Sequence, residues 1–152
     1  MLGVYTANAQ VATVTTAKTL MYLTAPADAV CEILNARVSI VDVDTNEQME
    51  CSLSMIATLG TPTATASTET KHENGSPAAG ATVFHNVTAS EPTYDADDVD
   101  RQGVASLSGY EFDPVPESRI YVSPSDNIGL RLRSTIASST VNVSITWREI
   151  GG

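Results

Sequence analysis

Near the end of the chain Val141, Val143, Ile145 and Trp147 alternate one by one with Asn142, Ser144, Thr146 and Arg148. A period of two is the signature of a strand with one dry face and one wet face, whereas a helix repeats its apolar stripe every three or four residues. The same alternation runs through Ile128, Leu130 and Leu132, and through Met49, Cys51, Leu53 and Met55. Turn-forming clusters separate these runs, Pro124 to Asn127 and Ala137 to Thr140 among them, and Ile120 with Val122 forms a shorter strand.

Upstream the pattern is looser but of the same kind. Residues 1–10 carry little apolar patterning and read as an extended N-terminal arm, with order beginning near Val11. Val11 to Thr24 reads as one or two strands, closed by the turn Ala25-Pro-Ala-Asp28. From Val30 to Val43 a long strand is expected with a bulge near Leu34-Asn35, because the β-branched run beyond it keeps period two and nothing caps a helix there. The turn Asp44 to Glu47 would join it to the Met49–Met55 strand as a hairpin. Residues 60–92 form a long Thr-, Pro-, Gly- and Ala-rich loop region with a threonine-rich edge strand and one strand around Ala81 to Thr88. The acidic loop Glu91 to Asp100, the run Val104 to Phe112 and the Asp113-Pro-Val-Pro-Glu117 corner follow.

The count comes to about eight strands in one domain, residues 11–152, since the 152 residues suffice for a single core. Eight strands with one apolar face each imply an all-β antiparallel two-sheet sandwich, of which the jelly roll is the commonest eight-stranded form. Eight basic residues stand against 18 acidic ones, a formal charge of −10. A field of that sign opposes binding to nucleic acid or to an anionic membrane. The first residues carry neither a basic leader nor an apolar stretch fit for a signal peptide, so synthesis and residence in a cytoplasm are expected, with Cys31 and Cys51 as free buried thiols.

No residue set reads as catalytic. His72 lies in a polar loop and His85 beside Phe84, neither near a Gly-x-Ser-x-Gly nucleophile, and a cupin-type metal needs more histidines than two. No cofactor, resident metal or enzymatic activity is expected. Asp95-Ala-Asp-Asp-Val-Asp100 invites calcium, yet an EF-hand beginning at Asp95 needs Gly sixth and Glu twelfth, where Asp100 and Ser106 stand. A looser sandwich-type calcium site, or a solvated acidic loop that docks on a basic partner, stays open, and Arg101 is placed to pair with that charge. Tyr22, Tyr94, Tyr110, Tyr121 and Trp147 could form a sugar-stacking platform, although Trp147 fits a core position better. Arg131, Arg133 and Arg148 fall on polar strand faces as solvated charge or subunit contacts.

Several stretches carry a resemblance: Thr16-Ala-Lys-Thr-Leu20, Leu23-Thr-Ala-Pro-Ala-Asp28, Thr45-Asn-Glu47, Thr58-Leu-Gly-Thr-Pro62, Val87-Thr-Ala-Ser-Glu-Pro-Thr-Tyr94, and Gly129-Leu-Arg-Leu through Trp147-Arg-Glu-Ile150. In these the chain resembles the capsid cement, or decoration, proteins encoded beside the capsid genes of tailed double-stranded DNA bacteriophages. The resemblance implies a structural virion protein, a homotrimer on the outer capsid surface that bridges major capsid protein subunits. Residues 1–10 and the 60–92 region would then be the contact elements. The alternative is a carbohydrate- or receptor-binding sandwich from a viral fibre or spike, using Tyr94 or Tyr110 with the Asp95 to Asp100 loop.

Overall fold

In the computed structural model, which describes residues 3–42 and 46–151, the alternation of the last strand is obeyed residue by residue. Val141, Val143, Ile145 and Trp147 are buried while Asn142, Ser144, Thr146 and Arg148 face outward. Thirteen strands are described: β1 (Gly3–Val14), β2 (Lys18–Thr24), β3 (Ala29–Ile40), β4 (Gln48–Thr58), β5 (Thr63–Ala66), β6 (Glu69–Lys71), β7 (Thr82–Ala89), β8 (Thr93–Tyr94), β9 (Asp100–Ala105), β10 (Tyr110–Phe112), β11 (Ile120–Val122), β12 (Asn127–Leu132) and β13 (Ser139–Gly151). They form two antiparallel sheets packed face to face. The first runs β10-β3-β13-β1-β6, with β11 sharing the free edge of β3. The second runs β5-β7-β2-β12-β4-β8, with β9 also on β4.

The expected jelly roll is present in the strand order. Taking β10 and β11 as one interrupted strand, eight through-going strands remain: β1, β2, β3, β4, β9, β10/β11, β12 and β13. Numbered in sequence they lie as 1-8-3-6 in one sheet and 2-7-4-5 in the other, each step crossing to the opposite sheet except that from the fourth strand to the fifth, β4 to β9, which are neighbours in one sheet. That alternation of sheets is the double Greek key. The count of thirteen exceeds eight because β10/β11 is split and because residues 59–99 insert four further strands, β5 to β8, between β4 and β9.

The inserted segment straps both sheets. β7 pairs with β2 in the second sheet, while β6 reaches the first sheet and pairs with Tyr5–Ala7 of β1. Glu149 and Tyr5 hold it in place. The buried Glu149 carboxylate accepts the backbone N–H groups of Gly80 and Ala81 and the Trp147 indole N–H, and Tyr5 Oη donates to the Pro77 carbonyl at 3.2 Å. The interior between the sheets is filled by Trp147, Tyr5, Tyr110, Leu20, Leu23, Leu53, Leu130 and their neighbours, each nearly or fully buried. A second small cluster, Tyr22, Ile56 and Val87 with Phe84 and Tyr94 against them, lies between the second sheet and the inserted segment.

Two sequence expectations need correction. Residues 3–10 are no arm: they belong to β1, paired with β13 on one side and in part with β6 on the other, and Tyr5 and Ala7 are fully buried. Residues 1 and 2 lie outside the described residues. β3 and β4 are no hairpin, for they sit in opposite sheets; residues 43–45 of the expected turn lie outside the described residues. In the 60–92 region the expected threonine-rich edge strand is present as β5 and the strand placed around Ala81 to Thr88 as β7, and the short β6 lies between them. The bulge near Leu34-Asn35 is where it was expected: Thr146 faces Asn35 and Trp147 faces Ile33, which leaves Leu34 without an opposite residue. Val104 to Phe112 divides between sheets at Ser106–Gly109. Gly109 adopts φ +72°, and a Cβ there would stand 2.6 Å from the Val38 carbonyl oxygen.

Candidate functional site

The chemistry of this molecule lies on the two outward faces of the sandwich. On the second sheet the outward row Thr19, Arg131, Ser52 and Arg101 runs across β2, β12, β4 and β9. The inserted segment covers most of it, so Thr19, Ser52 and Ser54 are polar yet buried. Asp98 descends into this layer. It accepts Ser54 Oγ at 2.5 Å and Arg133 Nη1 at 3.0 and 3.1 Å, with Arg101 at 3.7 Å and Arg131 at 3.9 Å. Burial by itself would raise the Asp98 pKa; the Ser54 bond and the three guanidinium groups outweigh it and hold the carboxyl below the ordinary range.

Tyr94 seals the layer beside it. The Arg131 guanidinium lies 3.8 Å over its ring, and its hydroxyl is 2.6 Å from Thr19 Oγ1. Burial pushes the Tyr94 hydroxyl up to about 12. Glu91 in turn accepts the Thr19 N–H and hydroxyl.

The first sheet shows its outward face to solvent. Thr70, Thr6, Thr146 and Asn35 form one cross-strand row; Asn8, Ser144, Arg37 and Glu111 form the next; Gln10, Asn142 and Ser39 form a third. Short side chains leave a shallow depression of about 420 Å³ among Asn8, Ser39, Asn142 and Ser144. Hydroxyl and amide ladders tie the rows, with Thr6 Oγ1 at 2.8 Å from Thr146 Oγ1 and Gln10 donating to Asn142 at 3.2 Å.

At one end of this face the row Val4, Arg148, Glu32 and Tyr121 runs across β1, β13, β3 and β11. Glu32 is 1% exposed. It accepts Arg148 Nε at 2.6 Å, Arg119 Nη1 at 3.3 Å and the Tyr121 hydroxyl at 3.3 Å, and it also meets Arg148 Nη2. Burial would raise its pKa, but the bonds and charges of Arg148 and Arg119 prevail and lower it.

The structure sorts the residues singled out by sequence. His72 bonds Thr6 Oγ1 through Nε2 on the first sheet, and His85 bonds Ser67 Oγ through Nδ1 on the second, so the two are not brought together. Cys31 and Cys51 are free and buried, and burial pushes both thiols up to about 12. Tyr22, Tyr110 and Trp147 are buried and Tyr94 is roofed by Arg131, leaving Tyr121 as the exposed member of the supposed platform. The acidic loop divides by side. Asp98 and Asp100 turn inward, Asp100 onto the Tyr110 hydroxyl at 2.7 Å, whereas Asp95 and Asp97 are exposed. Glu32 and Arg119 were not singled out; only the cross-strand register and the arrival of the 113–119 corner make them neighbours.

No known protein family matches the chain, and no curated protein does. Among solved structures it is similar to VP17, a capsid protein of bacteriophage P23-77, at 16% identity over 100% of this chain and 90% of that one, with a TM-score of 0.15. At that TM-score the likeness carries neither fold nor role to this chain. The function has therefore to be read from the faces themselves. Three of the six exposed large apolar side chains among the described residues, Val99, Tyr121 and Ile150, adjoin the two charge layers, which gives each face a mixed charged and apolar rim.

Proposed function

We propose that this chain is a structural virion protein, a homotrimer that binds the outer surface of a phage capsid and bridges neighbouring major capsid protein subunits. The observation that carries the reading is the solvent face of the first sheet. It is an open array of three rows, mostly hydroxyl and amide side chains with the Arg37–Glu111 ion pair at one end of the middle row, on a sandwich whose interior is packed solid by Trp147, Tyr5 and Tyr110. Jelly rolls serve as viral capsid domains, lectins and cupins, and fold alone does not choose among them. A cupin needs ligands facing an open interior and a lectin commonly needs exposed rings, whereas a filled interior with a broad polar face suits a subunit that lies against another.

The mechanism is burial of that face. A subunit that binds the assembled shell and not its free subunits stabilises the shell by mass action, because rupture must also break the added contacts. The surplus acid, 18 residues against eight basic ones, keeps free copies soluble and favours the side of the shell away from packaged DNA. The test is co-sedimentation with intact capsids, together with the temperature at which the capsids release DNA. Saturable binding that raises the release temperature is expected, and Ser144→Arg, which fills the depression, should abolish both. Absence of binding by the wild-type protein would overturn the proposal.

A further inference from the structure

The end of the first sheet carries a surface of a different kind from the hydroxyl rows beside it. Tyr121 is 55% exposed and Ile150 is 37% exposed, and the partly exposed side chains of Arg119 and Arg148, at 26% and 29%, accompany them. Glu32 beneath neutralises one of the two cations, so this socket keeps a net positive charge on a molecule of formal charge −10. Arg119 Nε is buried without a hydrogen-bond partner, the one such side-chain atom among the described residues. Tyrosine, arginine and one aliphatic side chain together are the composition of an interface centre.

The opposite sheet carries the complementary shape. Backbone bonds from Asp95 N to Met55 O and from Val99 N to Leu53 O tie both ends of the acidic loop to β4, and Asp98 anchors its middle in the arginine layer. The loop is thereby fixed with Asp95, Asp97 and Val99 (42% exposed) pointing away from the molecule. We propose that the Arg119, Arg148, Tyr121 and Ile150 socket of one copy receives the Asp95 to Val99 loop of a second copy. Charge faces opposite charge, and apolar Val99 meets apolar Tyr121 and Ile150. Both parts are pre-formed, so docking requires little ordering. Because socket and loop lie on different sheets, the contact is head-to-tail, the kind that closes into rings. The assignment deepens the trimer reading above and rests on it.

The experiment is the solution mass by light scattering of four proteins, with circular dichroism to confirm that each is folded: wild type, Tyr121→Ala, Tyr121→Phe and the pair Asp95→Lys with Asp97→Lys. Wild type and Tyr121→Phe are expected at three times 16.0 kDa. Tyr121→Ala should weaken association about 30-fold or more, as a central tyrosine does, and the lysine pair should be monomeric. Mixing Tyr121→Ala with the lysine pair leaves one intact socket and one intact loop, so dimers should appear where each alone is a monomer. A trimeric wild type whose variants keep its mass overturns this interface and leaves the trimer standing. Loss of assembly in Tyr121→Ala but not in the lysine pair overturns the loop as occupant. A wild type monomeric at every concentration overturns the trimer itself.

Discussion

Gly129→Ala sets strand propensity against local geometry and so decides whether the inserted segment is held as described. Gly129 lies on β12 opposite Ser54 and Tyr22, with the Tyr94 ring above it. A Cβ added there would stand 2.8 Å from Tyr94 Cε1 and 3.0 Å from Cζ, with Oη closer still. Ordinary carbon contacts are about 3.5 to 4.0 Å, so the ring must withdraw by about 1 Å. It has little room, lying under Arg131 at 3.8 Å and bonded to Thr19 Oγ1 at 2.6 Å. Withdrawal forfeits about 1 kcal/mol of hydrogen bond and about 0.5 to 1 kcal/mol of cation–π attraction, and overpacking adds about 1 to 3 kcal/mol. Replacing a strand glycine returns about 0.5 to 1 kcal/mol. The net expectation is a loss of about 3 kcal/mol, a fall in Tm of roughly 6 to 12 °C for a chain of this size. The assay is thermal unfolding of wild type, Gly129→Ala, Tyr94→Ala and the double variant. In the Tyr94→Ala background the alanine should be neutral or stabilising. An unchanged or raised Tm for Gly129→Ala in the wild-type background would refute the reasoning.

Other consequences follow from the same contacts. Glu32 and Asp98 have folded pKa values below their unfolded ones, so their stabilisation is complete above about pH 4 and is lost as pH falls through the folded values. Tm should therefore drop on acidification below about pH 4, and Asp98→Asn, less stable at pH 7, should show a shallower drop; parallel curves would contradict the assignment. Cys31 and Cys51, with thiols pushed up to about 12, should react with a thiol reagent at pH 8 only at the rate of unfolding, and prompt labelling would exclude their burial. Deleting residues 1–10 removes most of β1 and with it Tyr5 and Ala7; the truncated chain should lack the far-ultraviolet strand signal, and a native melting transition would show β1 to be dispensable.

Period-two alternation made β4, β12 and β13 legible because each strand has large apolar residues on one side. The same alternation exists in β1, where Tyr5, Ala7, Ala9 and Val11 oppose Thr6, Asn8 and Gln10, but alanine gives it too little hydrophobic contrast to be seen. The bulge at Leu34 was legible, since the phase of the alternation shifts there. The β3–β4 hairpin was misread because alternation names the buried face and not the strand that lies alongside. A strand that crosses to the opposite sheet buries the same residues as one that folds back.

The sequence by itself determined the strand content, the buried face of the well-patterned strands and the surplus of acid, since these depend on the order of side chains along an extended backbone. Only the tertiary structure decided what the charges do. Asp95, Asp97, Asp98 and Asp100 read alike in a row, yet the backbone ties to Met55 and Leu53 turn Asp98 and Asp100 inward and Asp95 and Asp97 outward. Glu32 and its partners Arg119 and Arg148 are 87 and 116 residues apart. Their meeting depends on the jelly-roll crossing that sets β3 between β11 and β13, a long-range pairing that local pattern cannot encode.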